Sequence, residues 1–348
     1  MNSLYCFAPE GIAVVDVNER KVIRTIEEPG HAYLDGIVSL DHKTIFINDP
    51  RGSQVVVLDL EKNEVISKLP VGKAPVHMYL TPDGKEVWTH SDVEGAFYVI
   101  DVANLSIKGK VTASFTGKGH GKLLIHPEMG SKAYATNAID SVVHIIDIIN
   151  KKSTGSIKTS GHSHAKAYSI ASKHAYITSG LGKVAVIDPR TDTLIKELEG
   201  SNDLFISDDG KTLISPQRED GRVVVIDALS DEVIGKIQCS GDPDHIFFNY
   251  RNNKRIVYSV NVKSSNISVL DLDEMKEIKT ISIGNIIIPE GQQHIHRSGS
   301  MSSTELFIPS SGTQSVDIIN NEELTSSPLH LGMKVQQVIY VGEGMQQH

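Results

Sequence analysis

The chain has 348 residues, 39% of them apolar, with 34 basic and 43 acidic side chains and a formal charge of −9. It contains no basic block, which argues against nucleic acid or an anionic membrane as partner, and no apolar run approaches the roughly 20 residues that span a bilayer. Cys6 and Cys239 lie far apart in sequence, so neither a disulfide framework nor a CxxC metal site is expected, only two isolated thiols.

The opening residues, MNSLYCFAPEGIAVVDV, pass straight into strand pattern without a charged n-region and apolar h-region. No secretory signal is therefore expected, and the chain reads as cytoplasmic at face value, or extracytoplasmic if a signal was removed. From there one phrase recurs eight times: an apolar run, one acidic or amide residue, a polar turn, a second apolar run. Its copies include GIAVVDVNERKVIRTI, SQVVVLDLEKNEVISKL, GRVVVIDALSDEVIGKI and the worn QSVDIINNEELTSSPLHL. The repeated side chain falls at Asp16, Asp59, Asp101, Asp147, Asp188, Asp227, Asp271 and Asn320. A strand-rich repeat of about 40–50 residues predicts a β-propeller.

Each unit adds two further strands before the phrase. A short inner strand such as HMYLT (77–81) or DLFIS (203–207) leads into a turn such as TPDGK (81–85) or SDDGK (207–211), where Asp-Gly supplies positive φ. A second strand follows: EVWTH, KAYAT, HAYIT, RIVYS or ELFIP. Val, Ile and Tyr alternate with period two, and no long segment has helical periodicity, so helix should be nearly absent. At the start, SLYCFA is already a second strand. At the end, KVQQVIYVG (334–342) is an inner strand without a blade of its own. Joining the two closes a ring and removes its exposed edges. The prediction is an all-β, eight-bladed propeller over residues 1–348 as one domain, or seven blades if the irregular unit 286–331 packs differently.

KAYATNAIDSVVHIIDIINKKSTGSI and HAYITSGLGKVAVIDPRTDTLI resemble the YVTN-type propeller repeats, over nearly the whole chain. That resemblance extends to the tetrapyrrole-carrying propeller of dissimilatory nitrite reductase and, more distantly, to the copper propellers of nitrous oxide reductase and thiocyanate dehydrogenase. It implies the fold, and a histidine-lined mouth as the place for a metal or metallocofactor. Fold alone assigns no activity.

In a four-stranded blade, the link from outer to next inner strand shares one face with the turn between strands two and three. Of 15 histidines, eight fall at those links: His31, His77, His120, His162, His164, His245, His294 and His296. Aligned on the following turns, His77, Asp203, His245 and His294 take one place at the start of the inner strand. His120 and His164 come slightly earlier, in glycine-containing approaches. Any one of these read alone is a polar residue bonded to backbone; eight on one rim point to neutral imidazoles gathered for a metal. His77, His120, His164, His245, His294 and Asp203 are the expected ligands. His31, His162, His296 and His90 are further ligands or orienting partners. His42, His126 and His174 belong to the opposite face.

The rim is poor in Cys and Met, which disfavours thiolate sites and iron–sulfur clusters. An all-imidazole set fits copper or zinc, and the resemblance puts copper first. Haem-type tetrapyrrole is the lesser cofactor reading: Lys73, Lys118, Lys122, Lys166 and Arg297 offer counter-charges, but the histidines outnumber an axial pair. Asp49, Asp92, Asp140, Glu219 and Asp220 share the face as bases or orienting partners, or simply as solvated surface. The expected function is a metal-dependent enzyme acting on a small molecule, an oxidoreductase first. The alternatives are a metal-handling or protein-docking propeller and a tetrapyrrole carrier.

Overall fold

The computed structural model describes residues 2–180, 182–201, 203–251, 254–288 and 299–346. Their strands form eight four-stranded sheets arranged as the blades of a propeller. Blade 1 pairs Ser3–Ala8, Gly11–Asp16 and Lys21–Ile26 with the C-terminal strand Gln337–Val341. Phe7 faces Gln337 and Ser3 faces Val341, so the ring closes with strands from both ends of the chain. The irregular last unit forms a full blade, Ser300–Met301 to Thr325–His330, which settles eight over seven. Among the described residues helix is confined to two single 3₁₀ turns, Pro127–Met129 and Ser311–Thr313. Among the described residues no helix is long and apolar enough to cross a membrane.

Burial follows strand position. Third strands such as Gln54–Asp59 are almost wholly buried, whereas outer strands such as Lys21–Ile26 bury only their last residue. The core is a set of apolar layers between adjacent blades, as where Trp88 and Phe97 of blade 3 meet Leu123 and Ala133 of blade 4. Each blade is therefore completed by its neighbours.

The repeated acid has a backbone reason. Its Oδ1 accepts the N–H of a residue two or three positions on, closing the hairpin between strands three and four: Glu19 on Asp16, Asn104 on Asp101, Leu229 on Asp227, Glu322 and Glu323 on Asn320. Four residues after each acid the backbone enters the left-handed region, at Arg20, Asn63, Leu105, Lys151, Asp192, Asp231, Met275 and Leu324, with φ of 47–56°. None is glycine, and each reaches back to the preceding blade. Arg20 pairs with Glu305, Asn63 accepts from the Tyr5 hydroxyl and Lys151 pairs with Glu86. Asp192 accepts from Tyr134, and Asp231 from Tyr176. Leu105, Met275 and Leu324 pack into apolar layers shared with the blade before. Eight latches thus run round one face.

Candidate functional site

The opposite face carries the links from outer to inner strands. Strand register defines a common place at its rim, two residues before the inner-strand residue that pairs with the middle of the second strand. Those pairs are Ile37 with Phe46, Tyr79 with Trp88, Leu124 with Tyr134, Ala167 with Tyr176, Phe205 with Ile214, Phe247 with Tyr258 and Ile339 with Tyr5. The rim position is accordingly Asp35, His77, Lys122, Ala165, Asp203, His245 and Gln337 in blades 2 to 7 and 1. The alignment of His77, Asp203 and His245 holds. His294 and His296 lie outside the described residues, and the described inner strand of blade 8 starts at Ser300.

Three blades build a histidine cluster. His77 (blade 3) and His120 (the approach to blade 4) face each other with Nε2 atoms 3.1 Å apart. His164 of blade 5 lies beside His120, ring centroids 5.0 Å apart and planes tilted by 35°. Each ring of the facing pair turns its other nitrogen to a carboxylate: His120 Nδ1 to Asp92 Oδ2 at 2.8 Å, His77 Nδ1 to Asp35 Oδ2 at 3.5 Å. The second Asp92 oxygen holds His90 Nδ1 at 2.9 Å. His90 is fully buried, and its Nε2 has no hydrogen-bond partner. Gly121 makes this arrangement fit: a Cβ there would stand 2.5 Å from the Thr136 carbonyl oxygen and 2.9 Å from His90 Nε2.

Electrostatics follow from the contacts. Burial alone would raise the Asp92 carboxyl, but hydrogen bonds from His120 and His90 outweigh it and hold Asp92 well below the ordinary carboxylate range. Burial pushes the His90 imidazole the other way, toward the neutral ring, and Asp92 only partly offsets it.

Two blades on the far side of the rim are acidic. Arg218, in the turn after the second strand of blade 6, places Nη2 on Asp203 and on Asp244 Oδ1, with Nε 3.0 Å from Asp244. Lys122 reaches across from blade 4 to Asp203 at 3.3 Å. Burial would lower the guanidinium, but the two carboxylates more than reverse that and keep it charged. Asp203 is thus an ion-pair partner of two cations here. His245 packs edge-on against Phe205, centroids 4.7 Å apart.

Of the five imidazoles expected to converge, four lie among the described residues. His77, His120 and His164 come together on adjacent blades, while His245 stands four blades away from His77. Among the described residues no group of three or more His, Cys, Asp or Glu side chains is close enough to hold one metal ion. His31 is drawn away by Asp49 at 2.6 Å and Glu28 at 3.3 Å, and His162 is exposed beside Gly180. Of the far-face histidines, His126 stacks on Tyr168 at 4.2 Å and His174 pairs with Asp231 at 2.9 Å. Cys6 and Cys239 are buried in apolar layers, and burial pushes the Cys239 thiol up to about 12. Sequence reasoning missed Asp35, Arg218 and Asp244. Asp35 was recoverable from the same turn alignment that picked out His77.

Below the rim the inner strands of blades 2 to 7 enclose a cavity of about 610 Å³, with His77, Lys122 and His245 near its upper end and His126 and Ile170 near its lower end. This size suits a small organic molecule.

No protein-family model matches the chain, and no curated protein sequence is similar to it. Solved structures are. The dihydro-heme d1 dehydrogenase NirN in complex with DHE superposes with a TM-score of 0.77 at 13% identity, over 97% of this chain and 74% of that one. AztD from Citrobacter koseri gives 0.72 at 12% identity over the whole of both chains. The hydrazine synthase of Kuenenia stuttgartiensis gives 0.57 at 16% identity, over 86% of this chain and 95% of that one. At such identities the likeness shows the propeller fold.

Proposed function

We propose that residues 1–348 form one propeller domain of YVTN-type repeats that binds a divalent transition-metal ion at the rim, with His77 and His120 as the first two ligands. The observation that carries this is the pair of Nε2 atoms facing each other at 3.1 Å while both Nδ1 atoms face carboxylates. A carboxylate on Nδ1 fixes the proton there and leaves the lone pair on Nε2. Two nitrogens so placed are either bridged by a proton on one of them or offer both lone pairs to one metal ion, and the metal is the reading proposed. Two imidazole nitrogens on one tetrahedral ion, at about 2.0–2.1 Å from it, stand about 3.3 Å apart, close to the spacing observed.

His164 is the third proposed ligand, brought in by a rotation of its ring. His245, His294 and Asp203 are the remaining proposed ligands, on other blades and for a further ion, Asp203 by exchanging Lys122 for it. His90 acts through Asp92 to orient His120; His31, His162 and His296 are outer members. Imidazole donors suit both copper and zinc, and for such donors the intrinsic order places copper above zinc. An ion held this way with an open position supplies Lewis-acid or redox chemistry toward a small molecule, and we read the chain as a metal-dependent enzyme, an oxidoreductase first.

A second reading, a metal-handling protein that passes its ion to a protein docked on this face, draws on the exposure of the His120 ring, 21% of which is open at the rim. The tetrapyrrole reading draws only on the likeness to NirN.

Elemental analysis of protein purified without a nickel column tests the reading. About one equivalent of copper or zinc is expected, falling to under about a tenth of an equivalent in His120→Ala and His77→Ala with the fold intact. A wild-type chain that takes up no metal on titration has instead a proton-shared imidazole pair, and the reading fails.

A further inference from the structure

The cavity beneath the rim differs from the rim in character. Its walls mix apolar side chains, Leu80, Ile125, Ile206 and Phe248 among them, with polar ones, and its lysines sit toward the upper end while Asp208 sits toward the lower. Lys122 holds the rim position beside His77, and Lys166, one blade on, places its ammonium 5.3 Å from the centre of the Tyr79 ring. A ligand that fills this space must offer an apolar body below and a polar group above.

Charge decides the sign of that polar group. Of the charged side chains that line the cavity, Asp35, Lys122 and Lys166 stand toward the upper end and Asp208 toward the lower. With neutral imidazoles they carry no net charge. A divalent ion on His77 and His120 makes the upper end positive, in a confined site where such an excess is strongly felt. We propose that the metal-loaded channel binds an organic monoanion, a carboxylate or its like on an apolar or aromatic body. Its head lies between the imidazole pair and the two lysines, and its body lies among the inner strands. The inference rests on the metal reading above, because without the ion the lining carries no net positive charge.

The test is calorimetric titration of the full chain, metal-loaded and metal-free, with benzoate, its neutral isostere benzamide and the bodiless anion acetate. Metal content is measured in parallel. In loaded protein benzoate should bind roughly tenfold or more tighter than either benzamide or acetate, reflecting charge and apolar body respectively. Metal-free protein should lose the preference for benzoate over benzamide. Lys166→Met should weaken benzoate several-fold, and benzamide by less, while metal content stays as it was. A chain that takes up no metal overturns both the metal reading and this inference. Loaded protein that prefers neither benzoate over benzamide nor benzoate over acetate overturns the inference alone, as does metal-free protein that binds benzoate equally well.

Discussion

The turn between the second and third strands occupies equivalent places in blades 3 and 6. Counted from the strand pairing, Asp92 in one stands where Arg218 does in the other. Around Asp92 gather His90 and His120; around Arg218 gather Asp203 and Asp244. At the rim position beside them stand His77 and Asp203. One scaffold therefore presents two sites of inverted polarity, a carboxylate orienting imidazoles and a guanidinium neutralising carboxylates. On the histidine side two Nε2 atoms face each other at 3.1 Å, the pair proposed above to hold a cation. On the acid side, Arg218 and Lys122 already answer the carboxylates.

The sharpest break between the two sides should come at Arg218. Arg218→Met leaves Asp203 and Asp244 buried without their shared guanidinium, and losing one partner of a buried ion pair costs about 3–5 kcal/mol. Chemical denaturation should show that loss while metal content stays at the wild-type level. Equal stability of variant and wild type would mean that the acid side is solvated and not a neutralised network.

Asp92→Ala should do the converse. Removing the group that fixes the His120 tautomer should weaken metal binding by about 10- to 100-fold, with a smaller change in stability. Competition with a chromophoric chelator measures this. An unchanged affinity would show that Asp92 does not orient His120 for a ligand.

How far this contrast was legible beforehand depends on what repeats. The eight-fold phrase, the closure of the ring and the alignment of His77, Asp203 and His245 rest on backbone hydrogen bonding, which recurs in every blade. The partners of those side chains do not recur. Nothing in SFTGKGHGK says that His120 will meet His77 and not the channel axis, because that depends on how Gly119 and Gly121 let the link lie against Asn137 and His90. His31 reads like His120 in sequence, yet Asp49 and Glu28 lie within its reach and capture it. Likewise the latch at Asp192 or Asp231 depends on a tyrosine in the blade before, a pairing 58 or 55 residues distant.

The histidine side should also answer to pH before any metal is added. Burial lowers the folded-state pKa of His90, so from about pH 6.5 downward the unfolded chain takes up a proton that the fold refuses. Its contribution is thus complete above that pH and declines as pH falls toward the folded value, with a slope of at most about 1.4 kcal/mol per unit. His126 is lowered by burial too, so the quantity to read is the difference between wild type and His90→Gln. The wild-type stability should drop more steeply from pH 7 to 5. Parallel curves would place His90 in a solvated setting.

The smallest effect concerns the face that is uniform all round. If the repeated acid serves only to accept backbone N–H groups, its charge is dispensable, and blade 8 already carries an amide at that place. Asn320 Oδ1 accepts from Glu322 and Glu323 at 2.8 and 2.9 Å, while Asp271 Oδ1 accepts from Asp273 and Glu274 at 2.9 Å each. Asp271→Asn should therefore leave stability unchanged within about 0.5 kcal/mol. Asp271→Ala removes the acceptor from two turn donors and should cost about 1–2 kcal/mol. Neither should alter metal content, since the turn lies on the face away from the histidines. Thermal denaturation of the two variants beside wild type decides it. If the asparagine variant is as unstable as the alanine one, the repeat preserves a charge and not a turn, and the contrast drawn between a structural face and a chemical face would lose its basis.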